Sequence, residues 1–187
     1  MAKPSIQELA AYLDPLQSDF YELIIPNLPG TSNQATRELR VACQQVSLPS
    51  KMIEPVPAEM AGNQLQYAGR SQYDHDVNIV FVENRRMSIH KSLRNYLEYI
   101  RGHERQLGHY KRDYQRDATL VVYDQMGLAI DRLTMYGLWL SNLGEYQFDG
   151  SGSNIITVNT TWQVDYWHPE DGFAGSGAVS GLSSFLS

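Results

Sequence analysis

The chain has a single cysteine, Cys43, in 187 residues, so no internal disulfide can form and nothing in it demands an oxidising compartment. A lone free cysteine is expected as a small buried apolar residue. No run approaches the roughly 20 apolar residues of a membrane span, and the opening MAKPSIQELAAYLDPLQ lacks the apolar segment of a signal peptide. The sequence is equally poor in catalytic patterns. It has no Gly-x-Ser-x-Gly elbow, no phosphate-binding loop and no carboxylate pair that spacing alone defends.

The motifs that catch the eye have plainer explanations. GSGAVSG (Gly175 to Gly181) has no strand running into it and no room for a crossover helix after it, so it is not a dinucleotide loop. Asp74, His75 and Asp76 are adjacent where a strand begins, which points His75 away from both acids. His103 and His109 stand in a polar stretch without a cysteine or carboxylate pattern, which argues against a metal. Asp149, Ser151, Ser153 and Asn154 are ordinary hairpin-turn residues, and the sequon Asn159-Thr160-Thr161 falls inside a strand. The expectation is no enzyme, no cofactor, no metal and no small-molecule substrate.

Basic charge is scarce and concentrated. The net charge is -6, yet residues 85 to 116 hold nine of the fifteen Lys and Arg side chains against three acids. No nucleic-acid motif accompanies that segment, so a solvated helix face or a contact with an acidic neighbour is the favoured reading.

What is present is mostly strand. Residues 5 to 13 suggest a short helix, and Phe20 to Ile25 a strand stopped by PNLPGTSN. LRVACQQV alternates Leu39, Val41 and Cys43 and reads as a strand. The segment around Pro49, Pro55 and Pro57 reads as an extended arm rather than a sheet interior. QLQYAGR and VNIVFV follow as strands. Ile89, Leu93, Tyr96, Leu97 and Ile100 then fall at helical spacing behind a possible cap at Ser88, with Gly102 just past the end. ATLVVYD and LAIDRLTMYG form a hairpin across QMG, and EYQF and IITVNTTWQVDYW another across DGSGSN. The fold class is mainly β, a small barrel or sandwich with one packed helix. The tail GFAGSGAVSGLSSFLS is too small and Gly/Ser-rich for a core, although Phe173, Leu182 and Phe185 are apolar enough to dock somewhere.

The last strand is the most informative. Ile156, Val158, Thr160, Trp162, Val164 and Tyr166 share one face, while Thr157, Asn159, Thr161, Gln163 and Asp165 share the other. One face is greasy. The other prefers water but carries almost no charge.

LPSKMIEPVPAEMAGNQLQYAGRSQYDHDVNIVFVEN, followed by Gly137-Leu138-Trp139, Asn142, Gly144, Glu145, a hairpin and Asp165-Tyr166-Trp167, resembles the tail tube proteins of contractile-tailed phages from about Asp19 to Trp167. The resemblance implies a tail tube domain at 19–167, between an N-terminal leader (1–18) and a Gly/Ser-rich tail (168–187). Leu140 stands where that family often has proline. It also implies strands that complete a shared barrel in a homohexameric ring. Stacked rings would form the virion's inner tube, assembled in the host bacterial cytoplasm. Expected partners are the sheath, a baseplate initiator and a tail terminator, with tape-measure protein and DNA in the lumen. Thr157, Asn159, Thr161, Gln163 and Asp165 would face that lumen. Pro49, Lys51, Glu54, Pro55, Pro57 and Glu59 would belong to an arm joining one ring to the next. A tube initiator, or the tube of a phage-like injection particle, fits the same residues. A carbohydrate-binding sandwich using Trp139, Trp162 and Trp167 is the distant alternative, weakened because Trp162 lies on the apolar face.

Overall fold

The computed structural model describes residues 18–60, 62–103, 107–146, 148, 151–152 and 154–170. Residues 1–17 of the leader, with the helix expected at 5 to 13, and residues 171–187 of the Gly/Ser tail, with GSGAVSG, Phe173, Leu182 and Phe185, lie outside the described residues. In chain order the elements are β1 (Tyr21–Ile24), α1 (Asn33–Ala42), β2 (Cys43–Val46), β3 (Lys51–Met60), β4 (Asn63–Tyr73), β5 (Asp76–Val82), α2 (Ser88–Ile100), the single turn α3 (Lys111–Tyr114), β6 (Arg116–Tyr123), β7 (Ala129–Leu143), β8 (Thr157–Gln163) and β9 (Tyr166–Pro169).

Seven strands form one antiparallel sheet in the order β1-β6-β7-β8-β5-β2, with β9 added to β7 beside β8. The sheet bends around β7, whose fifteen residues serve two sets of partners. Its first part pairs with β6 and β9, and Trp139 to Leu143 pair with β8. The bend falls at Gly137, with φ at +70°. A Cβ there would lie 2.3 Å from Asp165 Oδ2, so glycine is required on both counts. The terminal strands β1 and β2 do not pair with each other. The barrel expected from sequence is therefore an open, curved sheet among the described residues.

Three local expectations are corrected. LRVACQQV is not one strand. Ser32 accepts a hydrogen bond from the Ala35 amide and starts a helix in which Ala35 and Leu39 are buried at i, i+4, while Val41 is 86% exposed. Among the described residues the fold thus packs two long helices, not one. EYQF forms no strand among its described residues, because β8 takes Trp139 to Leu143 as its hairpin partner. The long last strand breaks after Gln163. The Asp165 amide donates to Tyr136 O and the chain resumes as β9, so Tyr166 is half-exposed rather than buried.

The core lies between the sheet's concave side and the helices. Leu39 of α1 and Ile89, Leu93 and Tyr96 of α2 bury against Val77, Ile79, Phe81, Val158 and Trp162. Ser88 is the first residue of α2 rather than its cap, and Met87 before it is left-handed with φ of 53°. The Glu83 carboxylate takes over the capping, accepting from the Ile89 and His90 amides at 3.1 and 2.9 Å. Tyr96 stacks on Trp162 at 6.1 Å and donates its hydroxyl to Tyr114 O. Thr160 is the one buried polar residue on the apolar face of β8. Its hydroxyl donates to Ile79 O and accepts from Trp162 Nε1, at 2.7 and 2.8 Å. Cys43 is half-buried at the edge and not fully enclosed, and burial pushes its thiol up to about 11.

Thr160→Val keeps the shape but strands the indole N–H, and should cost about 1–3 kcal/mol in chemical denaturation; Thr160→Ser should recover most of it. A hydrogen bond from Ser88, and secondary ones from Gln34 and Asn84, hold the Glu38 carboxyl below its ordinary value of 4.5. A depressed folded-state pKa gives stability that is present above 4.5 and lost as acid protonates the folded carboxylate. Melting temperature should therefore fall below about pH 4.5, less steeply in Glu38→Gln.

Candidate functional site: a wet sheet face and a projecting hairpin

The side of the sheet away from the helices is built by β2, β5 and the end of the β8 hairpin. Val158, Thr160 and Trp162 are buried inward, so Asn159 is exposed and Thr157, Thr161 and Gln163 are partly so on the other side. Cross-strand pairing sets Thr157 beside Val82, Asn159 beside Val80, Thr161 beside Asn78 and Gln163 beside Asp76. Thr161 Oγ1 donates to Asn78 Oδ1 at 3.1 Å, Gln163 Nε2 donates to the Asp76 carboxylate, and Ser141 Oγ donates to Thr161 O at 2.9 Å. On β2, Gln45 faces Val80.

This surface is wet yet nearly neutral. Strands β2, β5 and β8 contain no Lys or Arg and one acid, Asp76. Four of the five residues expected on a common face are brought together on β8. Asp165 is separated from them, since it stands beyond the strand end and its carboxylate pairs with Lys111. Asp76 and Asn78 share the face and were not expected there from the sequence, although DVNIVFV has the matching alternation. A cleft of about 620 Å³ opens where Thr157 and Asn159 meet Ser18, Tyr21, Gln45 and Val46. It lies between the two unpaired edge strands.

The proline-rich segment is an arm, and it is a hairpin. β3 and β4 make a separate sheet, two-stranded among the described residues. Ten residues of β3 reach about 33 Å at the usual strand rise. Pairs Val56–Tyr67 and Ala58–Leu65, with Met52 and Met60, build an apolar side, while Lys51, Pro55, Pro57 and Glu59 lie on the other. That apolar side is open to solvent, with Met60 61% and Tyr67 53% exposed. Covering half-exposed side chains of this size is worth about 1 kcal/mol each before ordering costs. Of the residues expected in the arm, Lys51, Glu54, Pro55, Pro57 and Glu59 lie on β3, whereas Pro49 is buried at its root. Gly69 sits where the register shifts opposite Glu54, and a Cβ there would fall 2.5 Å from Glu54 O.

No group of three or more His, Cys, Asp or Glu side chains able to hold a metal is found among the described residues. Among those residues no helix is long and apolar enough to cross a membrane.

No family model matches the chain. Tail tube protein gp19 of Enterobacteria phage T4 is 23% identical over 128 residues, covering 67% of this chain and 78% of the phage protein. The gp19 of phage T6 matches with the same identity and coverage. Among solved structures, a chain of the extended sheath–tube complex of the extracellular contractile injection system PVC superposes with a TM-score of 0.55 at 11% identity, over 90% of this chain and 99% of that one. The chain has the tail tube fold. A chain of the anti-feeding prophage baseplate structure superposes with a TM-score of 0.57 at 11% identity over 83% of this chain and 95% of that one. The wet face and the projecting hairpin are two surfaces that this tail tube fold leaves open to solvent.

Gly69→Ala should loosen the hairpin alone. Amide-exchange protection in β3 and β4 is expected to drop by an order of magnitude or more, while the melting temperature, set by the Trp162 core, stays within about 2 °C.

Proposed function

We propose that the chain is the structural subunit of the inner tube of a contractile tail or tail-like particle, and that six copies close into a ring. The observation that carries this reading is the open sheet with its wet, base-free face. Edge strands β1 and β2 offer unpaired backbone groups that a neighbouring copy can satisfy, and closure in a circle removes every free edge. The helices occupy one side of the sheet, so ring closure leaves the face of Thr157, Asn159, Thr161 and Gln163 lining the bore, with Asp165 at its margin. DNA slides past such a lining because each phosphate–cation contact that would hold it is missing. Tape-measure protein fills the same bore before ejection. No catalysis is required of any of these residues.

Stacking of rings falls to the hairpin of β3 and β4. Its solvent-facing apolar side, with Glu54 and Glu59 on opposite faces, docks on the adjacent ring, and Pro55 and Pro57 lower the entropy lost on docking. The ends of the stack meet a baseplate initiator and a terminator, and a sheath surrounds it. The finished particle, a virion, holds the protein after assembly in the host cytoplasm.

Negative-stain microscopy of the purified protein should show hollow filaments or six-fold rings. Removal of the hairpin tip, residues 55–68 replaced by a two-residue turn, should leave rings but shorten filaments at least tenfold. Single rings from the intact chain would instead assign it to tube initiation. A monomer at every concentration would overturn the assignment.

A further inference from the structure

The helix α2 and the wet face lie on opposite sides of one sheet. Ile89, Leu93 and Tyr96 bury inward onto Trp162, and the residues alternating with Trp162 face the other way. The outer side of α2 is therefore the far wall of the subunit. If the wet face lines the bore, this wall is the outside of the tube.

That wall carries Arg85, Arg86, Lys91 and Arg94, all exposed. Arg40 pairs with Glu22, Lys111 with Asp165 and Arg132 with Glu170, while Arg37, Lys51 and Arg70 stand at scattered positions without an ion pair among the described residues. These four form no ion pair among the described residues. The nearby acids are committed to the fold. Glu83 turns inward to the amides of Asn84, Ile89 and His90 and to the Tyr146 hydroxyl. Glu38 accepts from Ser88 and Asn84, and Arg86 reaches it only through its field. Glu98, a turn beyond Arg94, pairs with His103. Burial and then the positive field of Arg94 hold His90 below its ordinary value. Lys91 also stands in the first turn of α2, where a cation opposes the helix dipole. An exposed aromatic adjoins the strip: Phe148, 71% exposed, stacks on Tyr146, whose ring is edge-on to His90. Arginines beside an accessible aromatic are the usual composition of a protein interface.

We infer that the strip of Arg85, Arg86, Lys91 and Arg94 is the docking surface for an acidic face of the sheath subunit that encloses the tube. This rests on the tube reading above. Carboxylates on the partner would take the three guanidiniums as forked pairs and neutralise cations that the lone subunit leaves in solvent. The contact is exposed and electrostatic, so it should be reversible and salt-sensitive, suited to a layer that must move relative to the tube.

The test uses full-length tubes and the purified sheath protein of the same particle, sedimented together at 50 and 500 mM salt. Wild-type tubes should retain sheath at low salt and lose at least tenfold at high salt. The quadruple variant R85S/R86S/K91S/R94S touches no core residue and should form tubes of normal length that retain at least tenfold less sheath at low salt. Replacing the three arginines by lysine should recover part of the binding. Variant tubes of normal length that carry sheath like the wild type would overturn this inference and leave the tube reading standing. So would wild-type retention indifferent to salt, or a quadruple variant that loses only the binding of a 20-base-pair DNA duplex. Absence of rings or tubes from the wild type would overturn the tube reading and this inference with it.

Discussion

The period-two alternation of β8 is the constraint on which this structure depends. A strand between β7 and β5 cannot give both its faces the same environment unless it is buried on both, and this one is not. Val158, Thr160 and Trp162 are committed to the core, so Thr157, Asn159, Thr161 and Gln163 are committed to water. Trp162 locks the register, since its ring packs on Tyr96 and its N–H is spoken for by Thr160. A slip of one residue would bury Asn159 and expose the indole. The same packing that stabilises the monomer thus fixes which chemistry the opposite surface presents.

Charge follows the same partition. The wet face has no cation on its three strands, whereas the far side of α2 has four that form no ion pair among the described residues. The intervening layer of Ile89, Leu93 and Tyr96 separates the nearly neutral face from the cationic one. A net charge of -6 conceals this. Sign by face is the informative quantity, because each face meets a different neighbour.

The alternating strands were legible in the sequence because their side chains obey a local rule. Val77, Ile79 and Phe81 are all fully buried, as their spacing requires, and the helix of Ile89, Leu93 and Tyr96 follows its own period. Helix α1 was hidden by a coincidence: Leu39, Val41 and Cys43 alternate as a strand would, and only the cap at Ser32 with Ala35 and Leu39 distinguishes the helix. The break between β8 and β9 was invisible for a different reason. It is imposed by Gly137 and Tyr136 on another strand, nearly thirty residues away in sequence, and no local pattern around Asp165 announces it. The arm was recognisable from its prolines, but its partner strand and the apolar side they share needed the register. Surfaces that depend on two segments meeting, such as the cleft at Thr157 and Tyr21, have no linear signature.

The spacing of Pro55 and Pro57 limits what the hairpin can become. Residues two apart on a strand aim their amides at the same edge, and the ladder to β4 survives around both prolines. The missing donors therefore fall on the outer rim of β3. Another chain cannot zip along that rim to extend the sheet without end, which guards a solvent-facing greasy ribbon against amyloid-like growth. Such a ribbon can still be clasped broadside, so polymerisation proceeds one discrete subunit layer at a time.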